Sequence, residues 1–177
     1  LIEQVKAGAQ ALMIFDTWGG LLPDGWYQRM SLAAMQKVIA LLPREHEGRK
    51  IPIIMFTKGG GIWLSDMAQV GADVIAIDWT MRLSRARKQL LEINKPLSLQ
   101  GNLDPLILFS EPKQIASAAS GLLDDLAGAP ALKPGLHSLD GHIFNLGHGI
   151  NQFTPPESVA ALSETIISRS KALRAAK

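Results

Sequence analysis

Apolar residues fall along this chain in two alternating kinds of run. Short apolar runs cover Ala11 to Phe15, Ile51 to Phe56, Val74 to Ile77, Leu97 to Leu99 and Ile143 to Leu146. Runs of this length predict strands. The first three lack polar alternation, which predicts strands covered on both faces, as in a parallel sheet. Between them the apolar spacing turns helical. Leu32, Met35, Val38, Ile39 and Leu42 share a face after Ser31, Trp63, Met67 and Val70 make a shorter one, and Ile115, Ala119, Leu122, Leu123 and Leu126 a third. Ser110 as N-cap and Pro112 in the first turn open that third helix. Thr154-Pro155-Pro156-Glu157 reads as a capping box before a last helix with Val159, Leu162 and Ile166. Leu1 to Val5 reads as the tail of a helix, with Gly8 as its terminal glycine. The order is a helix end followed by five β-α units, and residues 1–177 form one domain without a linker.

Alternating β and α elements make either an open doubly wound sheet or a closed eight-stranded barrel. A complete barrel takes about 250 residues, against 177 here. Length favours the open sheet. A chain that starts on Leu1 rather than Met reads as a piece of a longer protein and favours a partial barrel. Composition narrows the class without choosing between them. Apolar residues make up 47% and charged residues 19%, a globular balance. The net charge of +2 is too small to point to nucleic acid. No apolar run reaches membrane-spanning length. Cysteine is absent, so disulfides, thiolate metal sites and thiol nucleophiles are excluded. A cytosolic protein is expected.

The chemistry sits where the predicted strands stop. The runs end in Asp16-Thr17-Trp18-Gly19-Gly20, Thr57-Lys58-Gly59-Gly60-Gly61, Asp78-Trp79-Thr80, Gln100-Gly101-Asn102-Leu103-Asp104-Pro105, and Asn145 followed by His148. In a parallel sheet these ends lie on one side, so their polar groups converge on one rim. A carboxylate after a strand is also a common helix N-cap, and both readings stand for Asp78 and Asp104. Gly147 and Gly149 flank His148, displaying it and opening the main chain to another molecule. Lys58 precedes its glycines, the reverse of a phosphate-binding loop. It is expected to face an anionic ligand or a neighbouring carboxylate. Arg82, Arg85, Arg87 and Lys88 read as a solvated helix face. His46 reads as solvated, His142 has no assigned direction, and no zinc-type histidine pair occurs. No G-x-S-x-G nucleophile elbow is present. The residues by themselves describe a barrel-like enzyme fragment whose polar rim suits an anionic small molecule.

The chain resembles the uroporphyrinogen decarboxylase family over essentially its whole length. The likeness is carried by Gly8-Ala9-Gln10-Ala11, Ile14 to Gly20, Phe56-Thr57-Lys58-Gly59-Gly60, Asp78-Trp79-Thr80, Leu99 to Pro105, Asn145-Leu146-Gly147-His148-Gly149-Ile150 and Pro155-Pro156-Glu157. The resemblance implies a TIM (β/α)8 barrel, of which this chain is the last five β-α units. It implies a cytoplasmic homodimer without a cofactor or metal, with no nucleic-acid or membrane partner. Its substrate would be uroporphyrinogen, whose four acetate side chains lose carbon dioxide to leave methyl groups and coproporphyrinogen. Two substrate-binding positions of the family carry over, to Thr17 and to His148. The family's arginine-rich glycine motif, catalytic aspartate and substrate-contacting tyrosine belong to an N-terminal half that this chain does not match. Tyr27, the one tyrosine, sits in a different segment. The polypeptide alone is therefore expected to be inactive, with two open sheet edges. Two other readings remain: a corrinoid or thiol methyltransferase of the same superfold, disfavoured by the lack of cysteine, and a non-catalytic binding module on an open sheet, which strand order would reveal.

Overall fold

The computed structural model describes residues 1–176. Five strands, β1 (Leu12–Asp16), β4 (Ile53–Thr57), β5 (Val74–Ala76), β6 (Ser98–Leu103) and β7 (His142–Leu146), form one sheet. Each pairs in parallel with the next in the order β1-β4-β5-β6-β7, so the sheet has no switch point and β1 and β7 are its edges. A small antiparallel ribbon, β2 (Glu45–His46) with β3 (Arg49–Lys50), precedes β4 and holds His46. The helices are α1 (Ile2–Lys6), α2 (Ala33–Leu41), α3 (Leu64–Met67), α4 (Leu83–Glu92), α5 (Pro112–Ala127) and α6 (Pro156–Ala175). Among the described residues no helix is long and apolar enough to cross a membrane.

The two faces of the sheet differ. Leu12, Ile53, Met55, Ile75 and Leu99, with Ile77 just past β5, point into one core with Met35 and Ile39 of α2, Leu64 and Met67 of α3, Leu83 and Leu90 of α4, and Leu123 and Leu126 of α5. A second cluster joins Leu103, Leu108, Ile115, Ala119 and Leu162, seating α6 against α5. The opposite face, with Met13, Phe15, Phe56, Ala76 and Gln100, lines an open cavity. Continuous apolar runs predict cover on both faces, yet Phe15 is 66% exposed.

Local departures from the expectations have local causes. The fourth strand runs on from Leu99 to Leu103, because Gln100 and Asn102 are buried inside the ladder and do not begin a loop. The helical run before α2 starts at Tyr27 with a π-helical stretch through Leu32, and on α2 Val38 is exposed while Met35 and Ile39, with the flanking Leu32 and Leu42, are buried. Helix α5 is capped by Glu111, paired with Gln114 in a capping box, and not by Ser110. Helix α6 begins at Pro156 with Pro155 as N-cap, which leaves Thr154 a residue outside the cap position. The expected Thr154 box does not form, and its hydroxyl is buried without a partner among the described residues. The basic cluster on α4 is not wholly solvated. Arg82, Arg85 and Lys88 are exposed, but Arg87 is fully buried and donates to the carbonyls of Ser138 and Asp140.

Candidate functional site

Most of the polar strand ends hold the rim together. Asp16 accepts from the amides of Trp18 and Gly19 and from the Ser31 hydroxyl at 2.5 Å. Burial pushes its carboxyl up, but the Ser31 hydroxyl and the two amides outweigh it and hold the group below the usual aspartate range. This local turn, typical of Asp before two free amides, sets the loop that carries Thr17. Asp78 is 2% exposed and accepts from the amide of Gly59 at 2.5 Å and from the amide and hydroxyl of Thr80. Asn102 donates to the carbonyls of Asp78 and Met81. Asp104 caps the short 3-10 helix Pro105–Phe109 by accepting from the Leu106 amide at 2.9 Å. The capping reading therefore holds for Asp104. Asp78 instead ties the glycine loop after β4 to the end of β5.

The end of β4 is equally committed. The buried Thr57 hydroxyl meets the Tyr27 phenol at 3.0 Å, and Tyr27 stacks on Trp63 at 4.2 Å. Burial pushes the Tyr27 phenol up to about 12, so it stays neutral. Lys58 does not face a carboxylate among the described residues. Its ammonium lies 5.8 Å from the centroid of the Trp79 ring, a cation–π distance. A side chain on Gly20 would collide with the Lys58 carbonyl, so these two loops touch main chain to main chain.

Strand β7 completes the mouth. Gly147 donates its amide to Leu103 at 2.8 Å and lies on the Asp78-Trp79 backbone. A Cβ there would sit 2.8 Å from the Trp79 ring and 2.9 Å from the Trp79 nitrogen. Gly147 thus serves internal packing and not the approach of another molecule, whereas Gly149 has open space around it. The turn brings His148 over the sheet, 6.4 Å from the Phe56 ring. Thr17 and His148 come from the loops after the two edge strands and line one cavity of about 330 Å³. Met13, Phe15, Phe56, Ala76, Gln100 and Asn145 line it too. His142 turns away and bonds the Gly101 carbonyl at 2.8 Å, where burial pulls its ring below the usual histidine range. His137 bonds the carbonyl of Leu173 on α6. Among the described residues no group of three or more His, Cys, Asp or Glu could hold a metal ion.

Gln100 and Asn145 stand among the polar strand ends of the sequence and line the cavity, although the resemblance carried no substrate-binding role to either. Gln100 closes the fourth apolar run, where the pattern leaves open which face of the sheet its side chain takes. Its place two residues after Ser98 on one face of β6 was the available signal.

The family profile described as uroporphyrinogen decarboxylase (URO-D) matches residues 1–168. The chain belongs to the uroporphyrinogen decarboxylase family. Proteins named uroporphyrinogen decarboxylase from Cupriavidus metallidurans and Cupriavidus pinatubonensis are 50% and 52% identical to it, over 99% and 98% of this chain and 45% of each relative. One from Burkholderia thailandensis is 51% identical over 98% of this chain and 44% of its own length. The chain thus spans about half the length of the relatives it matches. Among solved structures, a methyltransferase from Methanosarcina mazei superposes with a TM-score of 0.71 over 94% of this chain and 44% of that one. At 20% identity that likeness is one of fold. Decarboxylase relatives at about 50% identity set this chain's affinity apart from that methyltransferase.

Proposed function

We propose that this chain is the C-terminal part of a TIM (β/α)8 barrel, its last five β-α units, and that the whole protein decarboxylates uroporphyrinogen to coproporphyrinogen. The observation that carries the reading is the shared cavity of Thr17 and His148. They follow the two edge strands of the sheet, so only the three-dimensional fold joins them. Unpaired edges at β1 and β7 are where further parallel strands would close the barrel. Parallel order without a switch point fits that closure.

The chemistry follows from the substrate. A proton added to a pyrrole ring makes a cation conjugated with the acetate-bearing carbon. The bond to the carboxylate breaks, its electron pair enters the ring, and carbon dioxide leaves. A second proton converts the methylene to a methyl group, and the ring proton is released. One proton is consumed for each carbon dioxide formed. The protein has to hold the macrocycle and its carboxylates while the charge develops. Thr17 and His148 serve as hydrogen-bonding groups for carboxylates or the ring edge. The apolar lining of Met13, Phe15, Phe56 and Ala76 excludes water and strengthens those bonds. The group opposing the ring cation belongs to the part of the barrel outside this chain. The same reading makes the whole protein a cytoplasmic homodimer that works without a cofactor, and leaves this polypeptide inactive by itself.

The test is an anaerobic assay of uroporphyrinogen decarboxylation by the product of the complete open reading frame containing this chain. His148→Ala should lower kcat/KM by about tenfold or more, the scale of one hydrogen bond to a charged group. Unchanged turnover would remove His148 from the site.

A further inference from the structure

Arg87 is a charge in a poor place for stability alone. It projects from α4 and is fully buried. Its guanidinium donates to the carbonyls of Ser138 at 3.3 Å and Asp140 at 3.2 Å. Its Nε has no partner, and no carboxylate pairs with it among the described residues. Taking a guanidinium out of water is costly, and apolar side chains of similar volume often replace buried charges without loss of stability. Methionine would fill this space without a buried charge. The use of Arg87 lies in what it holds.

It holds the turn that launches β7. Ser138 and Asp140 stand just before His142, the first residue of that strand. From there β7 pairs with β6 without a break, His142 with Leu99 through to Leu146 with Leu103. The Leu99 amide donates to the Gly141 carbonyl at the start, and the Gly147 amide donates to Leu103 at the end. The other edge of β7 has no partner in this sheet. His148 lies six residues beyond His142, roughly 20 Å along an extended chain. A straight ladder passes on a shift along its axis undiminished, and a tilt at its start grows toward its end. Helix α6 also reaches the turn, through Arg174 on the Asp140 carboxylate and the Leu173 carbonyl on the His137 ring. The Arg174–Asp140 pair is partly exposed, and such pairs hold weakly. Arg87 grips the main chain of the turn from the buried side, with a planar fork that fixes two carbonyls at once. We infer that Arg87 is a positioning residue, which fixes the start of β7 and thereby sets the place of His148 at the cavity mouth. Its effect on turnover rests on the proposed decarboxylase reading; the placement of His148 does not.

The experiment uses the product of the complete open reading frame. The unaltered protein, Arg87→Met, His148→Ala and the double variant are compared by anaerobic turnover of uroporphyrinogen, by thermal melts and by NMR of labelled histidine rings. The resonance lost in His148→Ala identifies His148. Arg87→Met should shift that resonance and lower kcat/KM by up to about tenfold, the loss expected from removing His148 itself. In the His148→Ala background it should lower kcat/KM no further, because residues that act through one another are not additive. A purely structural role would lower the melt, leave the resonance in place and multiply the two losses. An unshifted resonance or multiplied losses overturns the inference and leaves the decarboxylase reading intact. An indifferent His148→Ala overturns it as well. If Arg87→Met does not fold, Arg87→Lys decides, because it keeps the charge and loses the fork. A shifted His148 resonance then supports the inference, and an unshifted one overturns it. Failure of both variants to fold makes Arg87 a residue of stability and overturns it too. If the unaltered protein does not convert uroporphyrinogen, the decarboxylase reading falls, and the resonance alone decides the placement of His148.

Discussion

The two faces of the sheet are built from similar apolar residues but do different work. Under the helices, Ile53, Met55, Ile75 and Leu99 are fully buried in one continuous core. On the other face Phe15 and Ile143 are exposed, and among the described residues lining the cavity the polar side chains are Gln100, Thr17, Asn145 and His148. Apolar composition therefore does not distinguish core from site here. Closure does. A face already filled by its own helices contributes stability, and a concave face left open with a few convergent polar groups is where a ligand goes.

The largest expected effect tests the sealed face. Leu99→Ala should cost about 2–5 kcal/mol of unfolding free energy, as for other fully buried leucines. Phe15→Ala should cost about 0.5 kcal/mol, as at other exposed positions, while raising the KM for uroporphyrinogen. Urea titrations of the two variants of the complete protein measure the contrast. Comparable losses would make the inner face ordinary core and break the distinction.

Gly147→Ala comes next, because it sits at the junction. Its new methyl would meet the Asp78-Trp79 backbone at 2.9–3.0 Å, and backbone yields less readily than a side-chain tip. Overpacking of this kind costs about 1–3 kcal/mol, and it displaces His148, the next residue. Stability and kcat/KM should fall together. A loss of stability with intact turnover would show that the position of His148 does not matter.

A smaller effect concerns the carboxylates that hold the rim. The folded state keeps Asp16 below its ordinary pKa. Its contribution is therefore fully present above about pH 4, the unfolded aspartate value, and is lost as pH falls through the folded value. Asp16→Asn should cost about 1 kcal/mol at pH 7. The gap from the unaltered protein should close as the pH is lowered toward 3. A constant gap in urea midpoints across that range would deny Asp16 its charge-dependent role.

Much of this was legible in the residues, and the misses share a cause. Short apolar runs located every strand of the main sheet, since period and composition act within a few residues. The strand-end rule put Thr17 and His148 on one rim, as the parallel order requires. What a local pattern could not convey was the partner at long range. Asp78 looks like a helix cap until its bond to the Gly59 amide is seen. Arg87 looks solvated until the carbonyls of Ser138 and Asp140 close over it. Gln100 looks like the end of a strand until its pairing with Ala76 of β5 and Ile143 of β7 shows the strand running on.

The smallest expected effect on stability is the sharpest test of the open face. Gly149 follows His148, and a Cβ built there meets nothing within 4 Å. Gly149→Ala should therefore change unfolding free energy by no more than about 0.5 kcal/mol. A ligand lying against the main chain beside His148 would meet the new methyl, so KM for uroporphyrinogen should rise while kcat and the melt hold. An unaltered KM would end the ligand's footprint at His148. A lowered melt would mean that this turn packs against the rest of the complete protein, and Gly149 would then belong with the sealed face.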